Sequence, residues 1–504
     1  MLEIKLCKCD KTEPPLVRSR IPIIGHLLGL GRFGVSYYKQ LRHDFTSWSE
    51  TTKLPILTIG LASQKLYIVN SPTLISQINR RQKVIDGGPP FLEIVFGKLF
   101  AFSSDDMMAL SKDSPGNGTL RGDTQALEHS LLARGMGSLD EIFDGIITAA
   151  AYQLPNLPDD GQRTIELGAW LQEALPMSTA IGLFGPDNPF SHDPSLLQSF
   201  WEFEGGLKAL TMGLFPSLTA SGPMRARRRL VEAFKSYVGT NKNYTATGQM
   251  PCQLVHGLGE VAKRHDRDDA YLSRYLFASF SAFTINTVPV TFWCIGHIAI
   301  DQALLSEIRN ELNAALASSS WEHSVETGTG PRDIWISISA LREHCPVLVS
   351  TLNEVLRYVS SSTGTMMVHE DTWINDQYWL KKGALVQMAA YAIHSDTKNW
   401  GQNAPEFVPR RFLETADEPA HPSAFRTFGG GNTLCPGRHL ACDEILAFTA
   451  MFLYSFDIAT APETPKLPQR NDTNMLSVLK PKGPFKLVIS KRSKALRVAA
   501  RRTV

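Results

Sequence analysis

The run Phe428-Gly429-Gly430-Gly431-Asn432-Thr433-Leu434-Cys435-Pro436-Gly437-Arg438 constrains this chain more than any other stretch. Glycines at 429, 430, 431 and 437 let the backbone turn tightly and lie flat against something broad. Cys435 stands at the mouth of an apolar helix that the pattern starts at about His439. Unpaired backbone N–H groups and the helix dipole favour a thiolate there. Such a thiolate is suited to ligate a metal. The plain alternative is a buried structural cysteine in a Gly-rich turn.

The chain has 504 residues, 43% of them hydrophobic, which is ample for a large core. With 51 basic against 49 acidic side chains the net charge is +2, and nothing there points to a nucleic-acid partner. The basic run Arg225-Ala226-Arg227-Arg228-Arg229 reads as a solvated helix face, with a phospholipid surface or an acidic redox partner as the alternatives. Seven scattered cysteines are no disulfide framework. Cys7 and Cys9 form a lone Cys-x-Cys, read as surface thiols rather than a zinc site. Sequons at Asn117, Asn243 and Asn471 matter only in a secretory lumen. The first twenty residues are charged, are broken by Pro14 and Pro15, and hold neither a bilayer-spanning apolar run nor a signal-peptide pattern.

Periodicity and turn residues predict a helix over 34–43, strands over 54–59 and 65–69, and a helix opening at Ser71-Pro72. A Gly/Asp/Ser-rich loop follows over 111–123, then a helix over 165–181 and an apolar, Gly-containing region over 203–223. A long central helix is expected over 269–299. Pro289 lacks an N–H and should free a carbonyl one turn back, bending that helix. Glu354 and Arg357, three apart, share a helix face. A buried strand over 383–388 follows, then His394 as a fold element, and turns with a hairpin over 462–490.

Taken in order, the segment 21–26, the central helix, Glu354-x-x-Arg357, Arg411 in its Pro-containing loop and the cysteine loop resemble the cytochrome P450 superfamily over 21–490. The resemblance implies a mainly α fold with a smaller β-rich lobe, the cytochrome P450 fold, as a single domain over 21–490. Residues 1–20 are then a loose N-terminal segment downstream of a missing membrane anchor, and 491–504 a basic tail. It implies heme b ligated by Cys435, with Phe428, Gly431 and Gly437 as further cofactor-binding residues and Phe428 against the proximal face near the sulfur. Glu354, Arg357 and Arg411 would form a structural triad. The Trp-x-x-x-Arg pair that commonly holds a heme propionate is absent, leaving Gln125, His129 or Arg134 as candidates. Thr433 stands where many relatives carry an Arg or His that reaches a propionate.

Asn286 and Thr287 are the catalytic candidates. Thr287 hydrogen-bonds dioxygen or a proton-delivering water in such enzymes. Asn286 replaces the usual acid and can position water, but is no carboxylate relay. The run Asn286-Thr287-x-Pro289-x-x-Phe292-Trp293 resembles the branch containing cholesterol 7-alpha-hydroxylase, sterol 12-alpha-hydroxylase and prostacyclin synthase. The resemblance thus implies a monooxygenase oxidising a sterol, terpenoid or other lipophilic natural product. Its electrons come from NADPH through NADPH-cytochrome P450 reductase, at a membrane surface. The place is the cytoplasmic face of the endoplasmic reticulum if an anchor precedes the chain, otherwise the cytoplasm or a membrane periphery. The alternatives are a heme-thiolate isomerase or dehydratase acting on a peroxide or epoxide without a reductase, and a non-enzymatic heme-binding protein.

Overall fold

The computed structural model describes residues 9–19, 21, 24–43, 54–61, 64–112, 118–135, 137–154, 161–212, 219–240, 251–318, 332–413, 421–473, 478–492 and 496–501. Cys7, the sequons at Asn117 and Asn243, and residues 474–477 of the C-terminal turns lie outside them.

The helices that matter for the site are α1 (Gly25–Phe33), α2 (Pro72–Asn79), α3 (Leu120–Leu131), α4 (Leu167–Phe184), α5 (Ser221–Thr240), α6 (Asp269–Thr284), α7 (Thr287–Ala299), α8 (Pro346–Val359) and α9 (Arg438–Ser455). Beside this helical bulk lies a mixed five-stranded sheet of β1 (Ile56–Leu61), β2 (Gln64–Val69), β3 (Ile85–Asp86), β4 (Thr363–Val368) and β5 (Leu385–Ala389). Its order is β1-β2-β5-β4-β3, with β2 and β5 parallel and the other neighbours antiparallel. The fold is therefore mostly helical with a smaller β lobe, as expected. Each part has its own buried apolar cluster: one among the helices around α6, α7 and α9, the other around Ile56, Tyr67, Val386 and Trp400 under the sheet.

Local chemistry explains the boundaries. β1 starts two residues later than expected because Pro55 has no N–H for the ladder. Ser71 caps α2 by accepting from Leu74 N, with Pro72 at its first position. The loop after 111 ends sooner than expected, because Thr119 caps α3 through Gly122 N. Ile165 was expected in a helix. It pairs instead with Leu487 in a strand, and Glu166 then caps α4.

Two further expectations are corrected. Within the N-terminal segment expected to be loose, residues 12–17 dock on the β lobe. Val17 N donates to Thr58 O, Trp379 N donates to Thr12 O, and buried Glu13 takes Lys65 Nζ at 2.8 Å and Tyr67 OH at 2.7 Å. The basic run lies on α5 and is only partly a solvated face. Arg227 donates to the Lys98 and Leu99 carbonyls, and Arg229 to Ser199 Oγ and Asp193. In the apolar region after 203, Phe203 is buried against Phe100 and Phe277, so it serves packing.

The central helix spans Asp269–Ala299 but is interrupted at Ile285 and Asn286. Pro289 explains the place: it cannot donate to the Ile285 carbonyl, and its ring crowds that group. The span is long and apolar enough to cross a membrane, yet 78% of its most apolar window is buried inside the protein, as in a core helix.

Two buried imidazoles give the fold a pH dependence. His297 stacks on Phe407 at 3.6 Å, and His394 lies beneath the β lobe beside Trp400 and Phe425. Burial pushes both down to about 3 from 6.5, helped by Arg470 at His297 and by Arg357 and Arg426 at His394. The unfolded chain takes up these protons first as pH falls. Their stabilisation is complete above about 6.5 and is lost as pH falls from there towards 3. Urea unfolding over that range is expected to show this acid limb, and His297→Phe to make it shallower. An unchanged limb would exclude His297 as a contributor.

Candidate functional site

The cysteine loop is closed by its own backbone. Cys435 N donates to Phe428 O at 3.0 Å, Leu434 N to Gly431 O at 3.3 Å, and Thr433 Oγ1 to Gly430 O at 2.9 Å. Two glycines are required by conformation: Gly429 at φ +77 and Gly431 at φ +61. Gly430 is extended, and space demands it instead. A Cβ there would lie 3.0 Å from Arg426 Nη1 and 3.1 Å from Asn79 Nδ2. Gly437 was expected to be a conformational glycine, but its φ of −79 suits any residue. It is the N-cap of α9, and its N–H lowers the Cys435 thiol pKa.

Burial pushes the Cys435 thiol above its ordinary 9.0, while the Gly437 N–H and Arg438 pull it back, and the Glu128 carboxyl adds a small upward push. Glu128 lies on α3, accepts a hydrogen bond from Tyr275 OH at 2.9 Å, and is itself raised by burial. Burial therefore favours the protonated thiol here. A bound metal ion would deprotonate it outright.

α7 packs against α9, which brings the broken stretch of the central helix to the cysteine helix. Ala282 and Asn286, one turn apart, are exposed, whereas Thr287 is buried at 4%. The Thr287 hydroxyl donates to Phe283 O at 2.7 Å, and Thr291 repeats the pattern on Thr287 O at 2.9 Å. Hydroxyls bonded back in this way bend helices. Of the two catalytic candidates, then, Asn286 presents its amide to open space. Thr287 uses its donor proton within the helix and keeps oxygen lone pairs to accept with.

Glu354, Arg357 and Arg411 meet as one buried network. Arg357 Nε and Nη2 each reach a Glu354 oxygen at 2.7 Å, and Arg411 Nε reaches them at 3.1 and 3.2 Å. Remaining guanidinium donors go to backbone carbonyls: Arg357 to His394, Ala404 and Glu406, Arg411 to Trp400 and Asn403. Val408 N donates to Glu354 at 2.8 Å. The network fastens the segment 394–411 to α8 and touches no reacting group. His394 extends it: its carbonyl takes Arg357 Nη1 at 2.6 Å, and its Nε2 accepts from Arg426 N at 2.9 Å.

Sequence reasoning missed two cations near the loop. Gln125, His129 and Arg134 are exposed. Instead Arg121, at the start of α3, packs its guanidinium on Gly88, and Arg426, two residues before Phe428, lies buried beside Gly430. Thr433 turns its methyl group onto Gly87. The overlooked signal was an arginine inside the loop's own lead-in, Phe425-Arg426-Thr427-Phe428.

These residues fit a heme. A thiol stands just before a helix N-terminus, its pKa pulled down by the Gly437 N–H and by Arg438. The adjoining loop at Gly429–Gly431 is one that side chains would obstruct. Arg426 Nη2 is a buried donor without a partner among the described residues.

Comparison with known proteins agrees. The family model for cytochrome P450 matches residues 264–489. Cytochrome P450 monooxygenase 98 of Postia placenta is 32% identical over 468 residues, covering 87% of this chain and 82% of its own. Cytochrome P450 monooxygenase nodJ of Hypoxylon pulicicidum is 27% identical over 497 residues, covering 96% and 90%. Cholesterol 7-alpha-monooxygenase of Cricetulus griseus is 23% identical over 496 residues, covering 93% and 92%. Fungal and mammalian relatives match at low identity, and no single branch stands out. Family match, fold and cysteine loop together establish that this chain belongs to the cytochrome P450 superfamily.

Proposed function

We propose that the chain is a monooxygenase that oxidises a lipophilic substrate using O₂ and electrons from a separate NADPH-cytochrome P450 reductase. Membership of the family already makes it a heme-thiolate oxidoreductase for lipophilic substrates. The reading as a monooxygenase is carried by one observation: the central helix opens at Ile285 and Asn286 while keeping a threonine beside the opening.

Heme, when bound, supplies the redox chemistry that activates dioxygen. The protein's part is assigned as follows. Cys435 would ligate the iron, with the Gly437 N–H, which favours the thiolate, tempering its electron donation. Phe428 would shield that sulfur, and Gly431, at φ +61, would let the loop lie against the cofactor. Asn286, exposed at the opening, holds a water by its amide. Thr287, fixed by its bond to Phe283 O, accepts a hydrogen bond at Oγ1 from that water and so orients it.

The substrate class we favour is a sterol, terpenoid or similar natural product. The Asn286-to-Trp293 run and the cholesterol 7-alpha-monooxygenase relative support it. We read 21–490 as one catalytic unit. Exposed Ile21, Ile24, Leu27, Leu28 and Phe33, on and just before α1, support contact with a membrane surface. The cytoplasmic face of the endoplasmic reticulum is the place that suits such contact and a reductase.

Thr287→Ala tests the assignment. The variant is expected to bind heme and substrate normally and to consume NADPH. Product per NADPH should fall about 5- to 150-fold, the worth of one well-placed hydrogen bond, with peroxide released instead. Unchanged coupling would make Thr287 a packing residue. Product from a peroxide or epoxide without NADPH or reductase would move the reading to an isomerase.

A further inference from the structure

Arg426 is an expensive residue. It is 3% exposed, burial pushes it down to about 10, and no acidic group offsets that push. Its Nη2 has no hydrogen-bond partner among the described residues. A buried cation without a counter-charge is strongly unfavourable, so a chain that keeps one has an anion to meet it. Nearby groups do not supply it. The His394 ring accepts from the Arg426 backbone N–H, and burial keeps it neutral. Asp86, at the neighbouring rim, accepts from Gly88 N at 3.0 Å and from Asn432 Nδ2.

The surroundings say where the anion sits. The Arg426 guanidinium faces Gly430 of the cysteine loop and comes within 3.9 Å of where a Cβ on Gly364 of β4 would be. The next residue of β4, Thr365, puts its carbonyl 3.5 Å from the corresponding point on Gly87. Gly87 adjoins Gly88, against which Arg121 packs. Arg121 has no ion pair among the described residues. Two guanidinium groups from distant parts of the chain thus stand along one rim of the cysteine loop, separated by glycines and small side chains. The positions expected to carry such cations do not: Thr433 spends its hydroxyl on Gly430 O.

We propose that Arg426 and Arg121 clamp the two carboxylate side chains of the porphyrin, Arg426 holding the buried one and Arg121 the other. The proposal rests on the heme reading of Cys435. The planar fork of arginine matches a carboxylate with two parallel bonds, so lysine is a poor substitute. Gly364 and Gly430 leave room for a carboxylate beside the fork, and a side chain at either would take it.

The experiment compares heme b with its dimethyl ester, which keeps the ring and iron but lacks the carboxylate charges. Apo-protein is reconstituted with each, and loss to an excess of apo-globin is timed. Wild type is expected to lose the ester about 10- to 100-fold faster than heme b. Arg426→Met should lose heme b nearly as fast as wild type loses the ester, and the difference between the two rings should collapse. Arg426→Lys should recover only part of the retention.

A second readout separates a clamp from ordinary structure. Without heme, Arg426→Met should be at least as stable to urea as wild type, because it removes an unpaired buried charge. With heme it should be less stable. Equal destabilisation of both forms, or equal retention of heme b and its ester by wild type, would overturn the clamp. If Arg426→Met gives no folded protein, the wild-type comparison and Arg121→Met decide. Wild type that takes up neither ring would overturn the heme reading together with the clamp.

Discussion

Cys435→Ser is expected to abolish the strongly red-shifted Soret band of the reduced, carbon monoxide-bound protein while leaving the fold intact. The band requires a thiolate on the iron, and a serine hydroxyl does not replace it. The fold should survive because the loop is held by backbone groups: the amide of residue 435 bonds Phe428 O, and Gly429 and Gly431 set its turns. Monooxygenase turnover should vanish with the band. Cys442, half-buried on α9, is the control, and Cys442→Ser should keep both band and activity. Retention of the band by Cys435→Ser would remove Cys435 as the ligand. Because burial holds the free thiol above 9.0, heme uptake at neutral pH should also release a proton, which Cys435→Ser would not show.

Glu354→Ala should be nearly as damaging, through stability. Glu354 is fully buried between two guanidinium groups and also takes Val408 N. Removing it strands Arg357, 1% exposed, as a buried cation, at a cost of about 3–5 kcal/mol. That is a large share of a domain's total stability of roughly 5–15 kcal/mol. Little soluble, heme-loaded protein is expected. Glu354→Gln should lie between, since it keeps acceptors without the charge. Thermal melting and heme-to-protein ratio read both effects. Wild-type values for Glu354→Ala would show that the network is dispensable.

What could be read from the chain was what is local in it. The cysteine loop, the Glu354–Arg357 pair and the opening one turn before Pro289 each depend on residues within a few positions of one another. The rim cations were not legible. Arg121, Gly364 and Arg426 come together only after α3, β4 and the lead-in to the loop have packed. The resemblance to relatives pointed instead to Thr433 and to Gln125, His129 and Arg134, positions that carry no cation at the rim. The docking of residues 12–17 was hidden for the same reason. Glu13 finds Lys65 and Tyr67 across some fifty positions, and no pattern around Pro14 and Pro15 announces it. Arg227 looked like surface charge until its partners, the carbonyls of Lys98 and Leu99, were in view.

His394 serves two masters with one residue. Its carbonyl is held by Arg357, and its ring holds the amide of Arg426. The orientation of Arg426 is thereby inherited from the segment 394–411, which Glu354 fastens. During biosynthesis this imposes a sequence of events. If Arg426 holds the porphyrin as proposed, firm retention of the cofactor waits on the docking of that segment, and a chain that keeps its heme is one in which 394–411 has already found its place.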